Sequence, residues 1–193
     1  MASVVSICNS ALNQLGAASI TALTDNSKNA RLCNERYETV RDAVFRSHPW
    51  NCLIKRQQLA QDAATPAYGF SYQFSLPSDC LRLLNLDAYN SDHKVEGRKI
   101  LCNEQSIKIA YISQVTDPNE MDVLLRETIS AGIAADLGYA ITANLQVSKL
   151  MQEKYQYKLS EARHTDASEG YNVDPSNGQV DQILTEDFIN SRY

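Results

Sequence analysis

Three histidines, five cysteines and one pair of helix-borne acids are the residues from which this sequence would build chemistry. None of His48, His93 and His164 lies three or four residues from another. Cys8, Cys33, Cys52, Cys80 and Cys102 are scattered, with no Cys-x-x-Cys pair, so no zinc-ligand spacing exists and no metal is expected. No glycine-rich phosphate loop, Gly-x-Gly-x-x-Gly fingerprint or Gly-x-Ser-x-Gly elbow occurs, and no cofactor is expected. Glu35 and Asp42 stand two turns apart on what reads as one side of a helix. A glycosidase needs two carboxylates flanking a cleft, one of them held protonated by its surroundings. The arginines beside this pair favour the ionised form of both, which suits a solvated ladder better than an acid–base couple. The chain is therefore expected not to be an enzyme. A hydrolase of cell-wall glycan, acting through Glu35 and Asp42 or through acids of the strand region, is the alternative reading.

Binding chemistry is equally sparse. Bases pair up only at Lys55-Arg56 and Arg98-Lys99, and a nucleic-acid binder needs a concentrated positive face. These dipeptides read as solvated strand ends or turn residues. Trp50, following His48-Pro49, reads first as a core plug and second as a binding aromatic.

The elements that must position these residues centre on one stretch, Asp117 to Thr142. Asp117 reads as its N-cap, Pro118 as its first helical residue, and Glu120 as the partner closing a capping box. Met121, Leu124, Leu125, Ile129, Ile133, Leu137 and Ile141 recur at helical spacing, and the other side is small or apolar. A helix apolar nearly all round is covered by neighbours. Gly132 and Gly138 then mark the close approach of other backbones.

Around this hub the sequence predicts three further helices. Val4, Ile7, Cys8, Ala11, Leu12 and Leu15 stripe the first, stopped by Gly16. Ala30, Cys33, Tyr37, Val40 and Val44 stripe the second, which ends before Pro49; Arg31, Glu35, Glu38, Arg41, Asp42 and Arg46 read as its solvated, salt-bridged face. Leu150, Met151, Tyr155, Leu159 and Ala162 stripe the fourth, with Ser148 as its N-cap and fraying near Gly170. Between helices two and three the period changes from 3.6 to 2. Tyr68, Phe70, Tyr72, Phe74 and Leu76 alternate with small or polar residues as one strand with an aromatic face. Leu81–Tyr89, a hairpin turning near Gly97, Ile107–Tyr111 and a strand within Trp50–Leu59 complete a small antiparallel sheet. The expected class is α+β: a four-helix bundle (1–49 and 116–170), an inserted antiparallel sheet domain (50–115) and an extended tail (171–193).

Charge is divided unevenly. Past Thr165 stand six acids (Asp166, Glu169, Asp174, Asp181, Glu186, Asp187) and one base, Arg192, a balance of −5; the chain's 23 acids and 18 bases leave 17 of each for the rest. So short and acidic a tail is expected to stay mobile until something binds it. The scattered cysteines, Cys8 and Cys33 among them as buried free thiols, suit a reducing cytoplasm. No apolar run is long enough for a membrane span, and the first residues lack a basic leader.

Several short motifs in fixed order resemble one family. Ala11-Leu12-x-x-Leu15-Gly16, then Val40-Arg41-Asp42 running into His48-Pro49-Trp50-Asn51, are similar to the start of podoviral tail tubular protein A, the head-to-tail adaptor of short-tailed phages. Phe74-x-Leu76-Pro77-Ser78-Asp79-Cys80-Leu81-Arg82-Leu83-Leu84 continues the likeness, as do Val95-Glu96-Gly97-Arg98, Tyr111-Ile112 and Val115-Thr116-Asp117-Pro118. Tyr155-x-x-x-Leu159-x-Glu161-Ala162-Arg163 closes it, so that it covers about residues 4–170. The resemblance implies a structural protein of the virion tail, assembled in the bacterial host cytoplasm. It implies a homo-oligomeric ring, typically a dodecamer, between the portal protein and the tail nozzle protein. DNA would pass through the channel during ejection without specific binding, and no membrane is involved. On that reading the tail docks on the portal through Ile183, Leu184, Phe188, Ile189, Arg192 and Tyr193. Gly97, Arg98 and Lys99 would face the next subunit or the nozzle.

Overall fold

The structure, a computed structural model, describes residues 1–86 and 92–169. It separates into two compact units: Met1–Cys52 together with the described residues from Val115 onward, and Leu53–Gln114.

The first unit is helical. Helix α1 (Val4–Gln14) starts at Ser3, whose hydroxyl accepts from the Ser6 N–H while the Ser6 hydroxyl accepts from Ser3, a reciprocal cap. It buries Ile7, Cys8, Ala11 and Leu12 and ends before Gly16, whose φ of +67° suits a glycine. Helix α2 (Lys28–Arg46) is capped by Ser27 and buries Ala30, Cys33, Tyr37, Arg41, Val44 and Phe45. Helix α3 (Val123–Thr142) begins later than the sequence suggests. Asp117 caps only a single 3-10 turn, Pro118–Glu120, and Asp122 is the N-cap of α3, accepting from the N–H groups of Leu124 and Leu125. The break exists because Met121 is extended (φ −86°, ψ 140°) and only 3% exposed. Helix α4 (Leu145–Glu169) follows Ala143, which is left-handed, and is opened by the Asn144 side chain, not by Ser148. Asn144 Oδ1 accepts from the Gln146 N–H at 2.9 Å.

These helices do not form a four-helix bundle, which corrects the expectation. A bundle surrounds a shared seam to which each member contributes one apolar stripe. Here α3 itself occupies the middle: it packs on α1, on α2 and most extensively on α4, while α1 barely touches α2. The residue types explain this. Thr128, Ser130, Ala131, Gly132, Ala134 and Gly138 are as buried as Leu125, Ile129, Ile133 and Leu137, so α3 has no outward side over its central turns. At Gly138 an added Cβ would lie 3.3 Å from Ser148 Cα, a true close approach of backbones. At Gly132 the neighbours are side chains instead, Val40 at 3.1 Å and Tyr155 at 3.2 Å. A bidentate ion pair between Arg36 and Asp136 (2.7 and 3.1 Å) ties α2 to α3 outside the core.

The second unit holds two three-stranded antiparallel sheets where one was expected. Strands β1 (Ile54–Leu59), β6 (Ile107–Ser113) and β3 (Cys80–Leu86) form one sheet in the order β1-β6-β3. Strands β2 (Tyr72–Ser75), β5 (Lys99–Cys102) and β4 (His93–Glu96) form the other, in the order β2-β5-β4. Leu59, Phe74, Cys80, Ile100, Cys102, Ile107, Ile109 and Tyr111 make one shared core, with Tyr72, Leu76, Leu83 and Leu86 packed at its margin. The alternation that starts at Tyr68 outruns its strand. Gly69 is left-handed (φ +84°) and breaks the extension, so Tyr68 is 89% exposed and β2 begins only at Tyr72. The strand expected over Leu81–Tyr89 is β3; its last positions fall beyond the described residues. The front strand starts at Ile54, after a 3-10 turn at Asn51–Leu53.

Candidate functional site

The most connected polar cluster sits where α2 hands the chain on. Pro49 stops the helix, which leaves the last carbonyls of α2 without partners. Trp50 and Ser47 supply them: the indole Nε1 donates to the Val44 carbonyl at 3.0 Å and the Ser47 hydroxyl donates to the same oxygen at 2.7 Å. Trp50 is 1% exposed, a core plug as its sequence context suggests. His48 meets its ring edge-on at 4.9 Å. The last turns of α4 close over this corner. Asp166 accepts from the Asn51 N–H at 3.0 Å, lies 3.1 Å from His48 Nε2, and its own backbone carbonyl accepts from Asn51 Nδ2 at 2.7 Å. Arg163 donates to the Ser47 carbonyl at 2.8 Å. The run His48-Pro49-Trp50-Asn51 is thus a clamp that joins the end of α2 to the end of α4.

An Asp–His pair invites a catalytic reading, and Cys52 is close in sequence. Cys52 is exposed as a residue, yet its thiol is pushed above the ordinary cysteine value, first by desolvation from the protein around it and then by the negative charges of Asp166 and Asp122. A cysteine nucleophile needs the opposite shift. Both oxygens of Asp166 are already engaged in holding backbone and imidazole, which describes a fastener. Cys8 and Cys33 are both fully buried, and Cys8 is held protonated by the Cys33 sulfur beside it and by desolvation.

Glu35 and Asp42, the acids of the alternative reading, lie on α2 as expected, but the solvated ladder is only partly there. Glu35 is exposed. Asp42 accepts from Arg41 Nε at 2.8 Å, and Arg41 is 3% exposed. The Arg41 guanidinium lies 5.7 Å from the Tyr37 ring centre and 6.0 Å from that of Phe45, so it is a packed residue. Its aromatic neighbours four residues to either side were the available signal, and charge alternation obscured it.

Gly97, Arg98 and Lys99 lie at the β4–β5 hairpin. Glu96 pairs with Lys99, and the two central residues have φ of +52° and +63°, the geometry that suits a two-residue hairpin. A left-handed arginine is strained, and its side chain explains why it is held there. The guanidinium donates to the Pro77 carbonyl at 2.6 Å and to the Ser78 and Cys80 carbonyls at 3.3 Å, while the Arg98 carbonyl accepts from the Leu76 N–H. Lys99 pairs with Asp62, which the ammonium holds below the usual carboxylate range with help from Ser75. Arg98 and Lys99 are therefore employed within their own chain, fastening the 76–80 loop and the Asp62 segment. On the rim of the same core, Asp79 accepts from Lys55 Nζ at 3.0 Å and from the Tyr111 hydroxyl at 3.2 Å. Burial, and then the Asp79 charge, push the Tyr111 phenol up to about 12.

Ile183, Leu184, Phe188, Ile189, Arg192 and Tyr193 lie outside the described residues. Among the described residues, no three His, Cys, Asp or Glu side chains are grouped so as to hold a metal, and no helix is long and apolar enough to cross a membrane. Sequence reasoning missed Asp166 and Arg163 as site residues. The signal was present: Asp166 continues the Met151, Tyr155, Leu159, Ala162 stripe, an acid on a core-facing line that must be satisfied internally.

No protein-family model matches the chain, and no curated protein matches it.

Proposed function

We propose that the protein is a structural head-to-tail adaptor of a short-tailed phage, a ring of copies between portal and nozzle through which DNA passes. The observation that carries this reading is the ordered set of motifs resembling tail tubular protein A over about residues 4–170. Its support is strengthened by what those residues do. His48-Pro49-Trp50-Asn51 and Arg163 build the α2–α4 clamp, and Pro77-Ser78-Asp79-Cys80 is fastened by Arg98 of the Val95-Glu96-Gly97-Arg98 run. Motifs that were separate along the chain thus act together within each unit, as they would if they marked one fold and not chance likeness. A ring is built from unlike faces, one face of each copy meeting a different face of the next. Two compact units of different composition supply such faces.

In this proposal the C-terminal stretch docks on the portal through Ile183, Leu184, Phe188, Ile189, Arg192 and Tyr193. Gly97 remains a candidate for contact with the nozzle or the next subunit, whereas Arg98 and Lys99 must first hold their own loop. Deleting residues 171–193 should leave folded protein that no longer attaches to DNA-filled heads. Attachment of the truncated chain with unchanged affinity would overturn the docking role.

A further inference from the structure

Between α1 and α4 the helical unit leaves a polar groove along α3. α1 runs beside α3 in the same direction: Asn119 Oδ1 accepts from the Ala2 N–H, and farther on Gln14 Nε2 donates to Ser130 Oγ. α4 runs back along α3 after the turn at Ala143, so that Gly138 faces Ser148, Gly132 faces Tyr155, and Thr128 Oγ1 donates to the Lys158 carbonyl at 3.4 Å. Ser6, Ser10, Asn13 and Gln14 of α1, Glu127 of α3 and Lys154 of α4 line the groove, which has a volume of about 590 Å³. Two of its polar groups lack an answer. Gln14 Oε1 is buried with no hydrogen-bond partner, although the same amide holds Ser130. Lys158 pairs with Glu161 and has Glu127 beside it, whereas the exposed Lys154 has no carboxylate partner among the described residues.

A groove with these walls suits a polar chain, and one begins at its mouth. Because α1 is parallel to α3 and α4 is antiparallel to it, α4 ends at Glu169 near the start of α1, on the Ser6 side of the groove. The next residue is Gly170, the residue type at which a chain leaving a helix reverses most easily. Beyond it, Asn172, Asp174, Ser176, Asn177, Gln179 and Asp181 supply the polar side chains. We infer that residues 170–182 run back as a strap in the α1–α4 groove of their own copy, with the Asp181 carboxylate on Lys154 and a strap amide donating to Gln14 Oε1. The lengths agree. Lys154 lies 15 residues before Glu169, about 22 Å back along the helix, which an extended chain covers in about seven residues. Asp181 stands 12 residues past Glu169 and reaches Lys154 with length left for the turn. The strap goes beyond the adaptor reading and does not depend on it. It leaves residues 183–193 outside the groove, where the proposed docking on the portal needs them.

Hydrogen exchange of the full chain, read by mass spectrometry, tests the strap. Residues 170–182 should exchange about tenfold more slowly than in a free peptide of the same sequence. Ser10→Trp fills the groove and should return them to the rate of the peptide. Lys154→Glu should speed their exchange about fivefold, and Lys154→Glu combined with Asp181→Lys, which restores the pair with its charges exchanged, should recover the native rate. Circular dichroism of each variant should match that of the native chain. Native residues 170–182 that exchange like the peptide, protection that Ser10→Trp leaves untouched, or a charge exchange that recovers nothing would each overturn the inference. Protection that vanishes on dilution to single chains would also overturn it, giving the groove to the segment of a second copy.

Discussion

The helical unit and the sheet unit are held together by different means. In the first, α3 alone buries ten residues, several of them small, and its neighbours close onto it until Gly138 meets the Ser148 backbone. Stability there is a matter of filled volume. In the second, one core cluster of eight residues serves two thin sheets, and much of the order at the turns comes from polar fasteners: Arg98 on three carbonyls, Lys99 on Asp62, Lys55 and Tyr111 on Asp79. The contrast teaches where each unit is vulnerable. The helical unit should fail through cavities, and the sheet unit through lost hydrogen bonds and changes of pH.

The largest effect is expected in the helical unit at Trp50. Trp50→Ala removes a buried indole and strips the Val44 carbonyl of one donor, so chemical denaturation should show a loss of about 3–5 kcal/mol. A loss below about 1 kcal/mol would mean that the corner is not packed as described.

Next comes Arg98 in the sheet unit. Arg98→Ala keeps the left-handed strain and leaves three carbonyls without their charged donor, for an expected cost of about 2–3 kcal/mol. Arg98→Gly loses the same donor but relieves the backbone, and should be less destabilising than alanine by roughly 1 kcal/mol. Equal losses in the two variants would show that the turn carries no strain. Because Arg98 fastens its own loop, charge reversal there would confuse a fold defect with a lost subunit contact; Gly97 is the cleaner place to probe the outer surface.

The smallest effect is a pH dependence confined to the sheet unit. The Tyr111 phenol is raised by folding, so the folded state resists its ionisation. Its contribution is complete below about pH 10 and is lost as pH rises toward about 12, to the extent of about 1–3 kcal/mol. Hydrogen exchange of β1, β3 and β6 should accelerate over that range in the native chain, more steeply than in Tyr111→Phe. Identical slopes in the two proteins would remove Tyr111 from the account.

These particulars also show what periodicity can and cannot reveal. The stripes of α1, α2 and α4 were legible because an amphipathic face repeats locally. The change of period announced strands between α2 and α3, and the Gly97 turn was plain. Four helical stripes suggest a bundle, whereas the all-round apolar character of α3 favours a central helix over a bundle member. The start of α3 had two competing caps, Asp117 and Asp122, and burial of Met121 decided between them. Non-local partners were out of reach. Asp166 meets Asn51 across 115 residues, and the two sheets depend on a strand order that no local pattern encodes.

The central claim is that this chain joins portal to nozzle as a passive ring. Electron microscopy of the full chain incubated with isolated portal rings tests it most directly. The account predicts a closed ring of copies seated coaxially on the portal, with an open channel along the axis. Chains that remain single and unattached while portal and nozzle proteins are both present would contradict it.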